Sequence, residues 1–90
     1  MKSMRCDLNI NFQIDNNSVQ ILSFMCGIFQ KAIPAHSHGS DCYEIHYIPY
    51  GYGKLKADGE CYDILPGSLY ITGPHILHEQ TPTGTDPMQE

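Results

Sequence analysis

Basic residues are scarce in this 90-residue chain. Five Lys and Arg stand against ten Asp and Glu, for a formal net charge of −5, and the five do not cluster. Holding phosphates requires grouped positive charge, so duplex DNA and anionic membrane surfaces are not expected partners of this segment. Apolar runs long enough to span a bilayer are absent. The opening Met1-Lys2-Ser3-Met4-Arg5-Cys6 leads into no apolar run either, so it does not read as a signal peptide. Cys6, Cys26, Cys42 and Cys61 lie at long spacings without a Cys-x-x-Cys pair. By count alone two disulfides could form, but nothing marks a secretory route, and a cytoplasmic protein with reduced thiols is the expectation. No Ser-His-Asp pattern, phosphate-binding loop, internal repeat or low-complexity tract occurs. Ninety residues allow one domain with a modest core.

What is there reads as β structure. Leu8, Ile10, Phe12 and Ile14 alternate with Asp7, Asn9, Asn11, Gln13 and Asp15, which predicts a half-buried strand. Asp15-Asn16-Asn17-Ser18 is a turn. In residues 19–30, Val19 and Ile21 alternate in one register, and Leu22, Phe24, Cys26 and Ile28 in the other. A helical stripe (Leu22, Met25, Cys26, Phe29) competes, but Gly27 and the residue types favour a strand with a bulge. Tyr43 to Tyr50 is a strand with Glu44, His46 and Ile48 on one face. Lys54 to Ile64 is a hairpin about Asp58-Gly59, with Leu55 facing Tyr62 and Lys54 facing Asp63. Ser68 to Thr72 is a short strand with Leu69 and Ile71 on one face. Six or seven short strands and no helix suggest an all-β antiparallel sandwich or barrel.

One stretch carries chemistry. If residues 35–38 are extended, His36 and His38 share a face, about 7 Å apart. Two imidazoles with a carboxylate suit Fe, Mn, Ni, Zn or Cu, and two His with one carboxylate is a non-haem iron arrangement. Glu44 and His78 are the natural completing ligands. Taken alone, His-x-His reads first as two exposed loop histidines, and the rest of the chain is what favours a ligand pair. Chelation requires neutral imidazoles, so binding should weaken below histidine's ordinary value of about 6.5. His46, on the face of Glu44, could support that site, touch a ligand, or simply hydrogen-bond to backbone. Tyr50 and Tyr52 are candidate stacking surfaces for a ligand, although aromatic residues also favour sheets. His75 has no assigned role, and Cys42 reads as an ordinary thiol.

These residues resemble the cupin superfamily. Its first motif corresponds to His36-Ser37-His38, five residues, Glu44, six residues and Gly51. The gap before Glu44 is longer than usual, and a bulge at Gly39-Ser40 would absorb it. In the second motif Gly67 and His78 match, whereas Gly73 stands in place of Pro, His75 of Gly and Pro82 of Asn. The resemblance implies that His36, His38, Glu44 and His78 hold a divalent transition metal (Fe, Ni, Mn or Zn) inside a small jelly-roll barrel. Within that superfamily, Tyr43 to Gly53 and Leu65 to Ile71 look like the N-terminal sensor domain of AraC-type transcription regulators. This second resemblance covers roughly residues 18–80.

It implies a single cupin-like domain over 1–90 that binds a small polar or sugar-like effector. It also implies a homodimer, with DNA bound only through a later helical domain outside this sequence. The alternative is a stand-alone metal-dependent cupin enzyme of dioxygenase or isomerase type, and a third reading is a plain structural jelly roll. Thr81 to Glu90 reads as a loop leading towards a further, absent strand, so the barrel is expected to be incomplete at its C-terminus. Open strand edges would then favour self-association.

Overall fold

The computed structural model describes residues 2–90. Nine strands follow one another: β1 (Lys2–Ile14), β2 (Asn17–Phe29), β3 (Ile33–His36), β4 (Glu44–Ile48), β5 (Gly53–Ala57), β6 (Glu60–Ile64), β7 (Ser68–Thr72), β8 (His78–Pro82) and β9 (Met88–Gln89). Three antiparallel sheets result, ordered β1-β2-β9, β3-β8-β5-β6 and β4-β7. Among the described residues there is no helix, and so none long and apolar enough to cross a membrane.

The central hairpin forms as its sequence dictates. Asp58 and Gly59 both take positive φ, and β5 and β6 pair with Leu55 opposite Tyr62 and Lys54 opposite Asp63. The Lys54 ammonium donates to the Asp63 carboxylate, which raises the exposed lysine's pKa. Opposite this sheet, β4 pairs with β7 so that Glu44 faces Thr72 and His46 faces Tyr70. The apolar core between the layers is small: Phe29, Ile48, Leu55, Ile64 and Met88.

Two strands near the end were not anticipated. Residues 78–82 and 88–89 form β8 and β9, where alternation in His78 to Pro82 is weak and β9 is only two residues long. Gly51 has φ +98°, and a Cβ there would lie 2.6 Å from the Met88 Cα. That close approach seats β9, with Met88 fully buried and Tyr50 bridged to Gln89.

The N-terminal hairpin departs from expectation in two ways. Its irregularity lies opposite Leu22, as the sequence suggests, but the extra residue is in β1. Asp7 pairs with Ser23 and Ile10 with Ile21, which leaves Leu8 and Asn9 opposite Leu22. The alternating residues of β1 are also not half-buried: Ile10, Phe12 and Ile14 are exposed. Alternation fixes which residues share a face but not whether another layer covers that face. Here the ribbon is too long for the body it joins. The molecule spans 44 × 28 × 20 Å, and its radius of gyration of 13.9 Å exceeds the about 12 Å typical of a compact chain this long.

Candidate metal centre

Strand β3 ends at His36, so His38 reaches the site from a loop rather than by strand alternation. In that loop Asp41 takes φ +58° and the Cys42 amide donates to the Gly39 carbonyl. This turn accommodates the extra residue before Glu44. His36 lies directly opposite His78 in the β3–β8 ladder, and Ala57 flanks His78 on the other side. Glu44, at the start of β4, reaches the cluster from the facing layer.

The four residues named from the sequence come together. One donor atom from each of His36, His38, Glu44 and His78 lies within 4.8 Å of all the others. The His36 and His78 rings are 4.2 Å apart, and His38 sits 5.3 Å from His36 and 5.6 Å from His78. His36 Nδ1 contacts the Pro34 carbonyl and His78 Nδ1 the Ile76 carbonyl, each at 2.9 Å. A carbonyl only accepts, so both Nδ1 atoms carry the proton; in the neutral rings both Nε2 atoms then keep a lone pair for a cation, that of His78 in place of its 3.3 Å contact with Glu44 Oε1. That second hydrogen bond is how a metal-ligating histidine is ordinarily oriented.

His38 Nε2 gives an independent sign. It lies 3.0 Å from Glu44 Oε2, yet the geometry does not make a hydrogen bond, and this buried nitrogen has no hydrogen-bond partner among the described residues. Leaving a buried polar atom unpaired is costly, and a cation among these donors would satisfy it. The donor set, three imidazoles and one carboxylate, therefore fits a divalent transition metal.

Glu44 is held as a carboxylate. Its Oε1 lies 2.7 Å from His46 Nε2 and 3.3 Å from His78 Nε2. The His46 hydrogen bond, with help from the His46 and His38 charges, outweighs partial burial and lowers the Glu44 pKa to about 2. His46 itself is buried between two carboxylates. Burial opposes its charge, but hydrogen bonds to Glu44 and Glu90 prevail and push its pKa up to about 9. Its ring also stacks on Tyr70 at 4.3 Å, and its Nε2 lies 3.2 Å from Thr72 Oγ1. Burial, then the Glu90 and Glu44 charges, raise the Tyr70 pKa. Gln80 donates to both Tyr70 and Glu90. His46 thus pairs with side chains, not with the backbone.

A pH dependence follows for the metal-free protein. His46 has its pKa raised on folding, so its contribution is complete below the unfolded value of about 6.5 and is lost as pH rises through about 9. The expected loss is on the order of 2 kcal/mol in chemical unfolding between pH 6.5 and pH 9. His46→Gln should flatten that slope, and an equal slope in both proteins would refute the assignment.

Tyr50 and Tyr52 are exposed and make no side-chain hydrogen bond to the histidine cluster. Sequence reasoning missed Thr72, Gln80, Glu90 and His75. Thr72 shares the inward face of β7 with Tyr70, so alternation could have found it, whereas Gln80 shares the inward face of β8 with His78, a strand the sequence does not mark. Glu90 carries no signal in sequence. His75, at φ +61°, donates its amide to the His38 carbonyl and meets Ser40 Oγ through its ring, tying the His38 loop to the His78 loop.

Comparison with known proteins places this architecture. KdgF from Halomonas sp., a cupin, superposes with a TM-score of 0.63 at 21% identity, over 72% of this chain and 60% of that one. The fold is that of a small all-β cupin. The model of the AraC-like ligand-binding domain matches residues 25–90, and the chain belongs to that family. No curated protein matches it significantly.

Proposed function

We propose that the chain is the metal-holding, effector-sensing domain of an AraC-type transcription regulator. The observation that carries this reading is the convergence of four donor atoms within 4.8 Å, in a domain of the AraC-like ligand-binding family. His36, His38, Glu44 and His78 would hold the metal. A bound divalent ion supplies a fixed positive charge that can attract and orient an anionic or hydroxyl-bearing ligand. Beside this end of the barrel, a cleft of about 410 Å³ opens between β6 and β7, a volume suited to a small molecule. Tyr70 and Thr72 line it and also contact His46, so an occupant there would bear on the network that positions Glu44.

The effector is proposed to be small and polar or sugar-like. It acts by binding one conformation better than another, which requires no chemistry. The domain works as a homodimer and leaves DNA to another part of the regulator.

The test is a thermal-shift series on zinc- or manganese-loaded protein against sugars and sugar acids. Saturation at 100 times the dissociation constant stabilises by about 2.7 kcal/mol, so a clear rise in Tm is expected. It should shrink in Tyr70→Ala. No shift with any member would refute the sugar-like class. The same donor set, three imidazoles and one carboxylate, would also suit a metal-dependent enzyme, which is the second reading. Metal-dependent turnover of a tested sugar, or O₂ consumption with it, would favour that one.

A further inference from the structure

The N-terminal ribbon carries apolar side chains on both faces. Register puts Ile10 with Ile21 and Phe12 with Val19 on one face, and Cys6 with Phe24 and Met4 with Cys26 on the other. Six of these eight are exposed, Val19 and Cys26 are half-buried, and Phe29 at the end of β2 faces the core. From Leu8 to Gln30 the single charged residue is Asp15, at the tip. A solvated ribbon ordinarily keeps one polar face.

A second uncovered surface lies on the outward side of β4-β7. There Ile45 faces Ile71 and Tyr47 faces Leu69, each more than half exposed, with Tyr43 beside them. This face carries no charged residue. The total surface agrees with these local signs. The chain exposes 6701 Å², where a folded monomer of 10.1 kDa exposes about 5,300 Å². The excess of about 1,400 Å² is what one partner contributes to a large, stable interface.

We propose that two copies exchange ribbons, the β1-β2 ribbon of each lying across the β4-β7 outer face of the other. A second copy fits because it brings the same two surfaces, and cross-packing covers them in one interface. The two-fold arrangement buries them reciprocally. The ribbon's four charged residues, Lys2, Arg5, Asp7 and Asp15, balance one another, with Arg5 paired to Asp7, and the β4-β7 outer face carries none, so a chain of net −5 brings no net charge to the interface. The inference deepens the homodimer of the proposed function and rests on that part of it alone.

Sedimentation equilibrium of the metal-free chain tests it, so a failure of the metal or effector reading leaves this result separate. The wild type is expected to be a dimer. Phe24→Lys and Ile45→Glu should each raise the dimer dissociation constant on the order of a hundredfold, because each buries an unpaired charge. Mixed in equal amounts, the two variants should recover a heterodimer, with the new lysine against the new glutamate at one contact and native residues at the other. Should a charged variant lose its β circular dichroism, Phe24→Ser and Ile45→Thr make the same comparison of dissociation constants without the mixing step. A monomeric wild type, a dimer indifferent to both substitutions, or folded charged variants that do not recover on mixing would each overturn the proposal.

Discussion

Glu44→Gln is expected to weaken divalent metal binding by at least about a hundredfold, since even residues that only support metal ligands cost 10–100-fold when changed. The substitution keeps the shape and removes the charge. Glu44 is the one acidic donor among three imidazoles in the cluster. Its ionised form is favoured by the His46 hydrogen bond, which keeps it ready for a cation across the accessible pH range. The second consequence falls on His46, which is left with Glu90 as its remaining carboxylate partner. The pKa of His46 should then drop towards its ordinary value, measurable by NMR titration of the metal-free protein. Competition with a chelating dye measures the affinity. Unchanged affinity would remove Glu44 from the site.

Gly51→Val should destabilise the fold by about 3–5 kcal/mol, a large part of the 5–15 kcal/mol that typical domains possess. Two costs combine. The backbone there has φ +98°, which a β-branched residue adopts only under strain. In addition, the new Cβ would stand 2.6 Å from the Met88 Cα and 3.0 Å from the Pro87 carbonyl oxygen, both backbone atoms that cannot rotate away. Strand β9 must lift, and fully buried Met88 leaves a core of only five apolar residues. Glu90, next along, is drawn away from His46. Gly39→Ala is the control: nothing lies within 4 Å of its Cβ, and stability should stay within about 0.5 kcal/mol. Urea unfolding of both variants decides it. A Gly51→Val protein as stable as the wild type would contradict the seating of β9.

The sequence made the centre of the molecule legible because its signals there are local. Asp58-Gly59 specifies a two-residue turn, and the turn fixes the β5–β6 register. Alternation in Tyr43 to Tyr50 puts Glu44, His46 and Ile48 inward, as found. The four clustered donors were likewise readable, through the resemblance of two short motifs to those of cupins. What stayed hidden depends on contacts distant in sequence. Glu90 meets His46 across 44 positions, and only the folded path of β9 brings them together. The loop that carries His38 follows no strand rule. Exposure of the β1-β2 ribbon was hidden for another reason: the periodicity of Leu8 to Ile14 is the same whether its own core or another molecule covers the apolar face.

The metal centre is the claim on which the functional reading turns. Its most direct test is metal content by mass spectrometry, on untagged wild type and His38→Ala prepared side by side. His38 is the informative choice, because its buried Nε2 has no hydrogen-bond partner among the described residues. The account predicts near-stoichiometric iron, nickel, manganese or zinc in the wild type and its loss in the variant. Absence of metal from both proteins, or equal metal in both, would contradict it.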